Sequence, residues 1–179
     1  MVALWLVVLV LIVLVLGLSR RVRDLSKRLD QRPVGGDDMD SPIRGPRIGS
    51  TLELAPVAKR GEEGRDRIVL FLNSSCGPCH VLADELAAAR EGGYLNLLAG
   101  TELVVVTDDL GAKFYGGLGA DEVVVQPAND ISTQLGINAT PYGIAVDAAG
   151  VVRWSGIAGD FDDLLAMAAA FTFDAEGRA

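Results

Sequence analysis

An α/β fold built on a parallel crossover is predicted by three stretches of the sequence taken together. Arg67 to Leu72 (RIVLFL) is an unbroken β-rich apolar run, as expected of a strand buried on both faces. A helical apolar stripe, Leu82, Ala83, Leu86 and Ala87, follows it opposite Asp84, Glu85 and Glu91. After the break at Gly92, Glu102 to Thr107 (ELVVVT) is a second β-rich run. Strand, helix, strand in that order is the signature of a right-handed parallel crossover.

Taken from the amino terminus, the first element is Met1 to Leu18, which holds no charged or polar side chain. As a helix it would extend about 27 Å, close to the roughly 30 Å hydrocarbon core of a bilayer. No basic residue precedes it and no small-x-small cleavage site follows, so it reads as an uncleaved anchor rather than a signal peptide. Residues 19–32 continue as a basic juxtamembrane helix with Val22, Leu25 and Leu29 on one face. The Pro-, Gly- and Asp-rich run 33–46 reads as a flexible tether, and the folded domain is expected over 47–179.

Within that domain, alternation over 50–55 (STLELA) predicts a strand, and 67–72 the buried one. Asn73, Ser74 and Ser75 offer capping side chains for the helix that follows, and Pro78 falls in its first turn, where a missing amide proton costs little. Beyond the 102–107 strand, 113–119 is helix or loop, 123–125 a short strand, and 129–135 a short helix closed by Gly136. Residues 142–146 and 151–154 form a hairpin about the turn 147–150, and Asp160 caps a last amphipathic helix through Phe161, Leu164, Leu165, Met167 and Ala168. No internal repeat is visible.

Charge narrows the function classes. The net charge of −8 is uneven: residues 1–48 carry 8 Lys/Arg against 5 Asp/Glu, whereas residues 49–179 carry 8 against 19. An acidic domain without a basic stripe or aromatic platform argues against nucleic acid as a partner. Two cysteines spaced by two residues exclude a disulfide framework.

Both cysteines and the only histidine fall in Cys76-Gly77-Pro78-Cys79-His80. Three chemistries share that pattern: redox thiols, covalent haem, and part of a metal site. Zinc needs three or four converging ligands, and only three closely spaced ones are present. Haem in an electron carrier wants a second axial ligand, for which only Met1, Met39 and Met167 remain. Redox thiols suit the context better. A cysteine at a helix start faces unpaired amides and the positive end of the macrodipole, which favour thiolate over thiol. Cys79, one turn on, lies on nearly the same face and is shielded, as suits a resolving thiol.

The segments Val69 to Cys79 (VLFLNSSCGPC) and Leu135 to Val152 (LGINATPYGIAVDAAGVV) resemble the thioredoxin superfamily. With the anchor, the chain looks like the membrane-tethered TlpA-type thiol:disulfide oxidoreductases. It is most similar to their methylamine-utilisation accessory, MauD-like branch, whose Gly-Pro-x-x-Gly opening matches Gly45 to Gly49. The resemblance implies a thioredoxin-like fold, a central mixed sheet flanked by helices. It implies Cys76 as attacking and Cys79 as resolving cysteine, with Gly77 and Pro78 as the motif dipeptide. It makes Pro141 a cis-proline beside the cysteines, with Thr140 offering its backbone to substrate, and it implies no metal and no cofactor. A proline just ahead of a strand is also a place where a tight turn can lock a cis bond. The implied partners are protein thiols and disulfides, an upstream membrane electron donor or acceptor, and the lipid bilayer. The Gly-Pro dipeptide points toward reduction, while the MauD-like branch implies assistance to maturation of a secreted protein or cytochrome.

The family further implies a single-pass membrane protein with an extracytoplasmic domain, although the basic residues after the anchor argue for the opposite side. Ser75 stands where thioredoxins usually carry Trp, and Leu70 where thioredoxin has a buried Asp that moves a proton for the second cysteine. Asp108 and Asp109, at the end of the second strand, are the replacement candidates. His80 replaces the usual Lys and would tune the thiolate; Trp154 and Tyr142 read as packing residues, with a contact at the rim of the site as the alternative for Tyr142. The rival from another class is a non-catalytic tethered adaptor or haem-handling module.

Overall fold

The computed structural model describes residues 43–54, 57, 64–98 and 100–172. The expected anchor, basic helix and most of the tether lie outside the described residues. Among those described, no helix is long and apolar enough to cross a membrane.

Five strands form one mixed sheet: β1 (Asp66–Phe71), β2 (Thr101–Thr107), β3 (Glu122–Val125), β4 (Tyr142–Val146) and β5 (Val152–Ile157), in the order β3-β2-β1-β4-β5. β1, β2 and β3 are parallel, with Leu70 beside Val105 and Phe71 beside Val106. β4 runs antiparallel to β1 and to β5. Among the described residues four α-helices flank it: α1 (Gly77–Glu91), α2 (Asp109–Tyr115), α3 (Asp130–Gln134) and α4 (Phe161–Ala169). This is a thioredoxin-like arrangement, a central mixed sheet flanked by helices.

The uninterrupted apolar character of β1 follows from its central place. Ile68, Leu70 and Leu72 join Leu82 and Leu86 of α1, Leu164 and Met167 of α4, Tyr115 and Cys79 in one core. Val69 and Phe71 point the other way, into a second core with Val104, Val106, Ile144, Val152 and Ile137. Each fully buried aliphatic side chain contributes about 1.5–3 kcal/mol, so this strand anchors the fold from both sides.

Several local expectations are corrected. The helix after β1 is capped not by Asn73, Ser74 or Ser75 but by Cys76, whose Sγ accepts from the Cys79 amide at 3.2 Å. Asn73 instead accepts from the amide and hydroxyl of Ser75 at 2.9 and 2.6 Å, turning the chain locally as Asx side chains do. The strand expected over 50–55 is reduced to a single bridge, Thr51 with Val151, flanked by hydrogen bonds from Gly49 and Leu52 amides to the carbonyls of Val152 and Gly150; Ala55 lies outside the described residues. The helix left open near 113–119 runs instead from Asp109 to Tyr115, because Asp108 caps it. β5 extends to Ile157, and the register slips between Ala145 and Val146, so that Val146 pairs with Val152. A 3-10 turn at Tyr94–Leu98 had no clear sequence signal.

Candidate active site

The loop that leaves the carboxyl end of β1 is held from three sides. Asp108 Oδ2 accepts from the Ser74 amide at 2.8 Å, Tyr115 Oη donates to the Asn73 carbonyl at 3.0 Å, and His80 Nε2 lies 2.9 Å from the Ser74 carbonyl, which makes that nitrogen the donor. The His80 ring also meets Phe114 edge-on at 5.8 Å and Tyr115 at 5.9 Å between centroids. His80 thus clips the loop to the helix rather than standing free over the sulfurs.

Cys76 and Cys79 are joined in a disulfide, with their Cα atoms 5.2 Å apart. Their exposures differ. Cys76 is half-buried beside exposed Ser75, Gly77 and Pro78, whereas Cys79 is fully buried in the α1 core. Any partner therefore meets Cys76 first. The Cys79 amide points at Cys76 Sγ, so a donor and the amino-terminal end of a four-turn helix are already aimed at whatever charge develops on that sulfur.

A second loop completes the site from the far side of β1. Thr140 and Pro141, joined by a cis peptide bond, lead directly into β4, and the Thr140 carbonyl oxygen lies 3.4 Å from Cys76 Sγ. Sequence separation between the two segments is 64 residues; the antiparallel pairing of Phe71 with Tyr142 brings them together. The residues singled out in sequence, Cys76, Gly77, Pro78, Cys79, Thr140 and Pro141, thus converge on one sheet edge.

Asp108 does not have the environment of a proton shuttle. Burial would raise its pKa, but backbone hydrogen bonds from Ser74 and Gly111, with further ones from the Ser74 side chain and the Leu110 backbone, outweigh that and leave it below the usual carboxylate range. Both its oxygens are occupied by amides, Oδ1 by Gly111 at 2.7 Å. Burial, and then the nearby Asp108 charge, push the Tyr115 phenol up, so it stays neutral and donating. Leu70, beneath the pair, is fully buried and apolar. Thr107, on the same strand face as Leu103 and Val105, carries a buried hydroxyl with no partner among the described residues. No group of His, Cys, Asp and Glu able to hold a metal ion occurs among the described residues.

Sequence reasoning missed the strapping roles of Asn73, Asp108 and Tyr115. For Asp108 a signal existed, an Asp three residues before a glycine amide at the start of a helix. For Asn73 and Tyr115 none did, since their partners are backbone atoms set by tertiary structure.

No protein-family model matches the chain, and no curated protein matches it. Solved structures do resemble it. StoA from Bacillus subtilis shares 16% identity over 58% of this chain and 82% of its own, with a TM-score of 0.47. The thioredoxin domain of a thiol-disulfide oxidoreductase from Bacteroides vulgatus shares 20% over 61% and 80%, with a TM-score of 0.46. A secreted Mycobacterium tuberculosis disulfide oxidoreductase shares 17% over 60% and 82%, also at 0.46.

Proposed function

We propose that the protein is a thiol:disulfide oxidoreductase that exchanges disulfides with protein substrates through Cys76 and Cys79. One observation carries the reading: a disulfide at a helix start whose outer sulfur is accessible and amide-solvated while the inner one is buried, with the Thr140 carbonyl beside the outer one. In the reducing direction the Cys76 thiolate attacks one sulfur of a substrate disulfide. A Cys76–substrate bond forms and the other substrate sulfur leaves as thiolate. Cys79, as thiolate, then attacks Cys76 Sγ, closing the internal disulfide and releasing the second substrate thiolate, so two electrons pass to the substrate. Run backwards, the same steps oxidise a substrate dithiol. Thr140 supplies backbone for an extended substrate segment, paired in the manner of an added strand.

The Gly77-Pro78 dipeptide favours the reducing direction, and the MauD-like resemblance favours a role in maturing a secreted protein. We place the domain outside the cytoplasm on a single-pass anchor formed by residues 1–18, supplied with electrons by a membrane partner. The reading is tested by insulin reduction with wild type and Cys76→Ser: wild type is active and the variant inert. Equal rates, or none from either, would leave a non-catalytic adaptor as the better account. Cys79→Ser should trap the mixed disulfide. Labelling of reduced thiols in intact cells by a membrane-impermeant maleimide tests the side of the membrane; protection would put the domain inside.

A further inference from the structure

The chain enters the domain across the second loop of the candidate site. The Arg44 amide donates to Asn138 Oδ1 at 2.8 Å. The next residue, Gly45, packs so closely on Tyr142 that an added Cβ would fall within the end of the phenol ring. Gly45 is not in the left-handed region, so close approach, not backbone freedom, is what demands glycine there. Farther along, the amides of Gly49 and Leu52 donate to the carbonyls of Val152 and Gly150, which ties this segment along the outer edge of β5.

What the segment grips is specific. Asn138 and Tyr142 bracket Thr140 and Pro141, and the Thr140 carbonyl lies 3.4 Å from Cys76 Sγ. Tyr142 has little room to yield: it is buried, its hydroxyl is 2.7 Å from Ser155 Oγ, and its backbone lies between Phe71 of β1 and Ile157 of β5. A push on the phenol is therefore passed to the backbone beside it, which is the Thr140–Pro141 step.

We infer that the Arg44-Gly45 strap is a positioning element: by packing on Tyr142 and holding Asn138, it sets the Thr140–Pro141 backbone where a cysteine-bearing polypeptide can pair with it in front of Cys76. The inference rests on the oxidoreductase reading and adds to it a determinant of polypeptide binding that lies outside both loops. The strap touches no sulfur, so it acts on docking of a chain and leaves the reactivity of the thiols alone.

The test uses the full chain and two substrates: insulin, which must dock, and the small aromatic disulfide 5,5′-dithiobis(2-nitrobenzoate), which need not. Loss of an interaction made equally in the bound substrate and the transition state raises KM and leaves kcat unchanged. Gly45→Val and Asn138→Ala are expected to raise KM for insulin about tenfold and fivefold, with kcat and the small-disulfide rate within about twofold of wild type. Asn138→Asp keeps an oxygen acceptor for the Arg44 amide and should restore KM. Because Asn138 is exposed, its two variants carry the test even if Gly45→Val does not fold. Unchanged KM in folded variants, or parallel losses on both substrates, would overturn the strap's role. A wild type inert toward insulin but folded would instead remove the oxidoreductase reading, and the inference with it.

Discussion

Removing the Asp108 carboxylate should unpin the site loop and the start of α2 together. Its Oδ1 caps α2 through the Gly111 amide at 2.7 Å and its Oδ2 holds the Ser74 amide at 2.8 Å, two residues before Cys76. Loss of a cap costs about 0.5–2 kcal/mol, and loss of a hydrogen bond to a charged acceptor about 1.5–3 kcal/mol. Asp108 is only half-buried, so solvent screens both contributions and the low ends apply, giving about 2 kcal/mol for Asp108→Ala. The carboxyl is held below its usual range in the folded protein, so its contribution is fully present above the unfolded value near about 3.9 and is lost as pH falls through the native one. Urea unfolding of the oxidised protein at pH 7 and at pH 3 measures both features. The gap between wild type and Asp108→Ala should be about 2 kcal/mol at pH 7 and clearly smaller at pH 3. A gap under about 0.5 kcal/mol at neutral pH, or one that does not change with acidity, would refute the assignment of Asp108 as an ionised staple.

Other consequences are as definite. Arg67, 3% exposed, reaches Glu102 at 2.7 Å and Glu122 at 3.6 Å across three strands, so Arg67→Ala should lower stability by about 2–4 kcal/mol by removing the buried charge that both carboxylates pair with; thermal unfolding reads it. Burial holds the phenol of Tyr142 above its ordinary range despite the Ser155 hydrogen bond, and a raised native value means stability is lost as pH rises past about 10; Tyr142→Phe should give up about 1 kcal/mol at pH 7 and flatten that alkaline loss. Alkylation of the reduced protein should modify half-buried Cys76 well before fully buried Cys79; equal rates would contradict the assigned order of the two thiols.

The parts of the fold that could be read from sequence are those whose cause is local. The runs at 67–72 and 102–107 are strands because each is buried on both sheet faces, and the capped stripe of α4 is visible in the Asp160 to Ala168 pattern. The hairpin turn is legible because Asp147 itself makes it, accepting from the Ala149 and Val151 amides at 2.9 and 2.8 Å. What escaped was pairing at a distance. Nothing near Thr51 says that β5 offers only one free bridge, nothing near Asn73 announces Tyr115, and nothing near Gly45 announces Tyr142, since each of those contacts is created by sheet order rather than by neighbours in the chain. The cysteine pair was legible for the opposite reason: its geometry is fixed within one helical turn.

The two sulfurs differ through burial and backbone amides. Leu70 beside the pair is apolar, and Asp108 accepts from amides on both oxygens and is held below the usual carboxylate range. Cys79 is wholly buried among Leu70, Leu72 and Leu82. The outer sulfur has the reverse situation, with the Cys79 amide aimed at it and solvent beside it. In the proposed exchange the outer sulfur is the one a partner meets, and the inner one closes the disulfide from within the core. Partner choice in that exchange falls to whatever holds the polypeptide against the outer sulfur. Without an aromatic side chain at Ser75 to greet that partner, the backbone at Thr140 and the strap behind it are the elements positioned to do so.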